Sequence, residues 1–185
     1  MYRFKPYVRS ILLYIAVTSL CSCASYAYNR DDNHSHRHQR YEETNANYAD
    51  RLPQHIASSE KTVVVDPHVH AWGAYSGGSL VHAGEMSAGS GYCRDLGRPC
   101  RTKVGTFRIN SLGSPHCKSS IFPLPHGGAP MPYCMFFNKN QALHGSYEVA
   151  EANISHGCVR LRVPDAEWLR YNFANVGTRV VVKPY

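Results

Sequence analysis

Ser155-His156-Gly157-Cys158-Val159-Arg160-Leu161 carries a thiol, an imidazole and a glycine in one short run that ends in alternating apolar residues. Residues two apart in an extended segment share a face, so His156 and Cys158 are expected to line one cleft. Gly157 lets the backbone turn closely and free its amide N–H groups for a tetrahedral oxyanion. A thiol reacts as its thiolate, which requires a nearby base or positive dipoles. His156 is one candidate base. His144, 14 residues upstream of Cys158 at the end of the strand-like Ala142-Leu143-His144, is the other. Cysteine, a histidine base and backbone donors are the minimum set for acyl transfer through a thioester. Taken alone, these residues leave open a buried structural thiol at Cys158 and a hydrogen-bonded core histidine at His156.

Outward from this run, the chain reads as short strands. Thr62 to Asp66 is β-branched, and the runs 68–75 and 79–86 flank Gly77-Gly78 as a hairpin. Val104 to Ile109, Met131 to Phe137 and Thr178 to Val182 are further strand candidates, while 111–130 is rich in Gly, Pro and Ser and reads as a long surface loop. One helix is expected, from Pro164 to about Phe173, with Trp168 and Tyr171 on one face. Many short strands with one helix in the C-terminal half give a mainly β domain.

The N-terminus reads as an export signal over residues 1–22, with basic Arg3, Lys5 and Arg9 ahead of a short apolar run from Ile11 to Leu20. Leu20-Cys21-Ser22-Cys23 resembles a lipobox, which predicts cleavage before Cys23 and a lipid on its sulfur. Ser25-Tyr26-Ala27 suits ordinary cleavage to a soluble product instead. Either reading places the mature chain outside the cytoplasm, in the periplasm or cell envelope. Residues 23–60 read as a disordered polar linker that includes His34, His36 and His38, for which no neighbouring ligands fix a metal geometry. The signal contributes +3 of the formal net charge of +7, so the remainder is mildly basic. That suits a carboxylate-rich polymer and lacks the dense basic stripe of a nucleic-acid binder.

Seven cysteines are many for a reducing compartment. Without Cys21 and Cys23, and with Cys158 kept as a free thiol, four remain for two disulfides. Cys93 and Cys100 bracket a polar turn whose ends can meet. Of three connectivities, the expected one pairs Cys93 with Cys100 and Cys117 with Cys134.

The motif residues and their flanks resemble the YkuD-type L,D-transpeptidase catalytic domain. Ser155 to Leu161 is similar to that family's signature and His144-Gly145-Ser146 to its upstream histidine motif. Thr102 to Ile109, Met131 to Phe137 and Val176 to Val182 are similar to its flanking strands in the same order. The extra cysteines and the MPYCMFF wording resemble the enhanced-entry protein subgroup. The resemblance spans residues 61–185 and implies a β-sandwich with long surface loops. It implies Cys158 as nucleophile and His144 as general base, oriented by a backbone carbonyl such as that of Gly145. Gly157 and Cys158 N–H groups would serve the oxyanion, His156 would support the cleft, and no metal or organic cofactor is needed. Arg160 suits a substrate carboxylate, with Gly145 and Ser155 beside it; Ser155 reads as a hydrogen-bonding strut rather than a reactant.

The implied reaction is attack on the tetrapeptide stem of peptidoglycan, followed by transfer of the thioester to an amine. Competing readings are an L,D-carboxypeptidase or amidase, a non-catalytic module binding peptidoglycan or host surfaces, and a His-rich metal binder. One departure from the family stands out: the segment between His144 and Ser155 is shorter than usual and carries Glu148 and Glu151.

Overall fold

A computed structural model describes Asn45 and residues 47–185. The signal over 1–22, the Cys23 lipidation site and His34, His36 and His38 lie outside these residues. Nine strands form one sheet: β1 (Thr62–Asp66), β2 (Ala71–Ser76), β3 (Ser79–Ser87), β4 (Gly105–Arg108), β5 (Ser111–Leu112), β6 (Met135–Asn138), β7 (Gln141–Ser146), β8 (Val159–Arg162) and β9 (Arg179–Val182). Their order is β4-β9-β1-β2-β3-β8-β7-β6-β5.

The sheet curls so that its two halves face each other across a shared apolar interior. Val63, Val65, Trp72, Ala74 and Val180 come from one half, and Met135, Phe137, Leu143, Val159 and Leu161 from the other. Phe107 on β4 meets Phe137 on β6 with ring centroids 5.5 Å apart, which brings the far ends of the curl together. The β-sandwich implied by the sequence is thus built from a single sheet. The β3 strand is the bend, pairing with β2 over its length and with β8 at Met86 and Ser87.

The hairpin turns at Gly77 and Gly78, whose positive φ of 58° and 85° is the left-handed backbone a tight β2–β3 connection requires. β2 is buried on both faces. Trp72 and Ala74 point into the interior, whereas Ala71, Gly73 and Tyr75 face the segment that precedes β1. There Tyr48 and Leu52 pack with Ala71 and Ala83, and the Tyr75 hydroxyl donates to the Pro53 carbonyl at 2.8 Å. A side chain at Gly73 would run into Leu52 and Leu80. The disordered linker expected up to residue 60 therefore ends sooner. Residues 48–53 are the lid over the second face of β2, because that face is apolar and must be covered.

Helix α1 covers Val163–Trp168 and passes directly into a π-helical turn, Leu169–Phe173. The Ala174 N–H reaches back to the Leu169 carbonyl at 2.7 Å, and the wider turn buries both Leu169 and Phe173 in the interior. Trp168 and Tyr171 do not share a face as expected. Trp168 stacks on His82 at 4.3 Å, while Tyr171 is exposed and meets the edge of Tyr133. Within the predicted surface loop 111–130, Ser111 and Leu112 pair with Phe136 and Met135 as the edge strand β5. Of the run 131–137, only Met135 onward is strand. Among the described residues, no helix is long and apolar enough to cross a membrane.

Leu52 is 5% exposed and fills the space over β2. Replacing it with alanine is expected to lower the unfolding free energy by about 2–4 kcal/mol in urea titration. An unchanged midpoint would mean that the segment before β1 is not docked.

Candidate active site

β7 and β8 run parallel and in register, Leu143 opposite Val159 and His144 opposite Arg160. Side chains opposite one another leave a sheet on the same side, and those two apart along a strand share a face. Leu143, Val159 and Leu161 therefore enter the interior, whereas His144, Arg160 and Cys158 face outward into a cleft of about 780 Å³. His156 lines the same cleft. The two disulfides join Cys93 to Cys100 and Cys117 to Cys134, and Cys158 is the free cysteine among the described residues.

His144 is 6% exposed. Its Nδ1 lies 2.8 Å from the Gly145 carbonyl oxygen, which can only accept, so Nδ1 carries the proton and Nε2 keeps its lone pair. Burial lowers its pKa from 6.5 to about 4, with a smaller push from the Arg160 guanidinium, against the Gly145 hydrogen bond. The ring is thus a neutral imidazole at pH 7, a base with one defined basic nitrogen. Burial pushes the Cys158 thiol above its ordinary value, opposed by the Ala142 backbone amide and by Arg160. Its Sγ lies 3.6 Å from the Asn140 carbonyl oxygen. Burial thus acts on both groups in the direction of their uncharged forms, and the two line one cleft.

The turn before Cys158 is fixed by its own hydrogen bonds. The Ser155 hydroxyl donates to the Cys158 carbonyl and accepts from the Gly157 N–H at 3.1 Å. Thr102 Oγ1 donates to the Gly157 carbonyl at 2.9 Å, and Gly157 has a φ of +120°, a conformation that disfavours any side chain. These contacts bear on three of the expected residues. The Gly157 N–H is engaged by Ser155 and is not open to an oxyanion. Ser155 is placed as the expected strut, its hydroxyl engaged on both sides. Gly145 uses its N–H on the Pro132 carbonyl and its own carbonyl on His144, so it orients that imidazole as the sequence suggested.

Arg160 is in the cleft, and its Nη1 lies 3.5 Å from both the carbonyl and the carboxylate of Glu148. That carboxylate is 82% exposed, so the pair is loose and solvent-screened. Glu151 turns the other way, 2.6 Å from Arg51 and 3.1 Å from the Tyr48 hydroxyl. Of the two unusual acids, Glu151 ties the loop before the motif to the segment before β1, while Glu148 only borders Arg160 in the cleft.

The sequence reading missed Asp95 and Phe122. His156 Nε2 is 2.8 Å from Asp95 Oδ2, and its ring lies 4.4 Å from that of Phe122. Asp95 sat in plain view within the Cys93–Cys100 turn, which was read only as polar.

The family described as the L,D-transpeptidase catalytic domain, YkuD, matches residues 60–182. Among curated proteins, no match is found. Among solved structures, the chain is similar to an L,D-transpeptidase from Xylanimonas cellulosilytica, with 27% identity and a TM-score of 0.61 over 71% of this chain and 64% of that one. It is also similar to an L,D-transpeptidase from Mycobacterium smegmatis, with 22% identity and a TM-score of 0.55 over 68% of this chain and 59% of that one. A third is L,D-transpeptidase 3 from Mycobacterium tuberculosis in complex with a faropenem-derived adduct, with 23% identity and a TM-score of 0.53 over 67% and 60% of the two chains. The chain spans less than two thirds of the length of each of these structures.

The buried neutral His144 has a consequence for stability. Between about pH 6.5 and 4 the unfolded chain binds a proton at this residue that the folded chain does not. Its contribution is fully present above pH 6.5 and lost as pH falls toward 4, about 3 kcal/mol in all. His144→Gln should flatten that part of the profile of unfolding free energy against pH. A variant as acid-sensitive as the wild type would contradict a buried neutral ring.

Proposed function

The chain belongs to the YkuD family of L,D-transpeptidase catalytic domains, and from that premise we propose that it is an exported cysteine acyltransferase that remodels peptidoglycan. The observation that carries this reading is the register of β7 and β8. It sets a free thiol and a buried neutral imidazole on one wall of one cleft, with the imidazole's second nitrogen tied to Gly145.

His144 Nε2 removes the Cys158 proton as the sulfur attacks the carbonyl of an L,D peptide bond, on the carboxyl side of the third stem residue. The tetrahedral oxyanion collapses, the C–N bond breaks, and His144 returns the proton to the leaving D-amino acid. An amine from a neighbouring stem then attacks the thioester. It gives up a proton through His144, and the thiol is regenerated. Splitting one difficult acyl transfer into two is what a covalent intermediate offers. With the Gly157 amide engaged, the Cys158 N–H is the remaining member of the expected donor pair for the oxyanion. Arg160 holds a stem carboxylate after displacing Glu148, an exchange made cheap by the exposure of that pair.

The substrate lies outside the cytoplasm, which fits residues 1–22 as an export signal and Cys23 as a lipid attachment site at the outer membrane. Residues 48–53 then fix the point at which such a tether meets the domain.

A carbapenem should acylate Cys158. Intact mass spectrometry is expected to show one adduct on the wild type and none on Cys158→Ala; no adduct, or the same adduct on the variant, would defeat the nucleophile. Because burial raises the Cys158 thiol above its ordinary value, iodoacetamide labelling of Cys158 should keep rising with pH beyond the range in which an exposed thiol has levelled off. A plateau already complete by about pH 7 would reveal a preformed thiolate and contradict base-assisted attack.

A further inference from the structure

Two covalently closed loops line the cleft. The Cys93–Cys100 loop supplies Leu96, Arg98 and Pro99, and the segment enclosed by Cys117–Cys134 supplies Ile121, Phe122 and Leu124. They meet on one side chain. His156 gives its Nε2 proton to Asp95 of the first loop at 2.8 Å and lays its ring against Phe122 of the second at 4.4 Å. The backbone behind it packs against the same first loop at the Cys100 sulfur, 3.5 Å away, and the Ser155 carbonyl accepts from the Ser90 N–H at 2.8 Å.

His156 has no need to serve as the base, because His144 already supplies a neutral, oriented imidazole. Nor do these groups make a metal centre. The donor atoms of Cys93, Asp95 and His156 lie within 4.8 Å of one another, but the Cys93 sulfur is consumed in its disulfide, leaving two ligands.

We infer that Asp95 is a positioning residue. By holding His156 against Phe122 it locks the two disulfide-closed walls at a fixed separation beside Cys158, and so sets which stem peptide the cleft accepts. This rests on the acyl-transfer reading above for the identity of the substrate, but not for the locking itself. The contact is a charge-assisted hydrogen bond with side chains 31% and 50% exposed, so its worth is moderate. Its loss should be felt in binding of substrate and not in the bond-breaking step, which Asp95 does not touch.

Asp95→Ala is therefore expected to raise KM for a tetrapeptide muropeptide about three- to tenfold, with kcat within twofold of wild type. Asp95→Asn, which can still accept from the imidazole, should recover most of the loss. In a His156→Ala background, Asp95→Ala should have no further effect, since it acts through that ring. An unchanged KM, a fall confined to kcat, or an undiminished effect without His156 would each overturn the proposal. A second readout needs no substrate: the labelling of Cys158 by a bulky maleimide relative to iodoacetamide should rise in Asp95→Ala and in Phe122→Ala. An unchanged ratio in both overturns the locking whatever the substrate is. A raised ratio together with a wild type inert toward muropeptides would sustain the locking and sink only the proposed function.

Discussion

The parallel pairing of β7 with β8 is the constraint on which the rest of the site depends. Neither strand is long, yet the register of Leu143 with Val159 decides two things at once. One face of the pair seals the interior through Leu143, Val159 and Leu161, and the other presents His144, Cys158 and Arg160. A slip of β8 by one residue would exchange its faces, putting Arg160 into the apolar core and Val159 and Leu161 into the cleft. The hydrophobic interior thus enforces the alignment of His144 with Arg160 and Cys158: the same burial that favours folding forbids the alternative register. It also tunes the base, because the depth at which His144 sits keeps its imidazole neutral.

Around this pair the chain uses local covalent and polar ties in place of long secondary structure. Ser155, Gly157 and Thr102 knit the turn before Cys158, with Thr102 also accepting from the Gly89 amide at 2.9 Å. The two disulfides close the loops that line the cleft. Loops of this composition have little apolar area of their own to bury, so cross-links limit the conformations they would otherwise explore. The cleft is a rigid strand pair bordered by stapled loops, with one looser element, the segment from Tyr147 to Ile154, moored by Glu151.

Much of this was legible in the residues because each feature was local. The Gly77-Gly78 hairpin, the β-branched runs at Val63 and Val180, and the motif at Cys158 announce themselves within a few positions. What escaped needed a partner distant in sequence. Tyr48 and Leu52 have the four-residue spacing of one helical face, but their polar surroundings hid it, and only the apolar outer face of β2 gives them a purpose. Asp95 gained meaning from a histidine 61 residues away. Gly157 was expected to lend its amide to an oxyanion, and nothing in the sequence shows that the neighbouring Ser155 hydroxyl takes it first. The helix boundary was right at its proline start. Its later change to a π turn comes from the demand to bury Leu169 and Phe173 together.

The central claim is that this thiol and imidazole transfer a peptidoglycan stem to an amine. It is tested most directly by mass spectrometry of tetrapeptide muropeptides incubated with the wild-type protein and with Cys158→Ala. The account predicts crosslinked dimers or exchanged stems that have lost the terminal D-amino acid, formed by the wild type and absent from the variant. Shortened stems with no transfer product, or products that persist without Cys158, would contradict it.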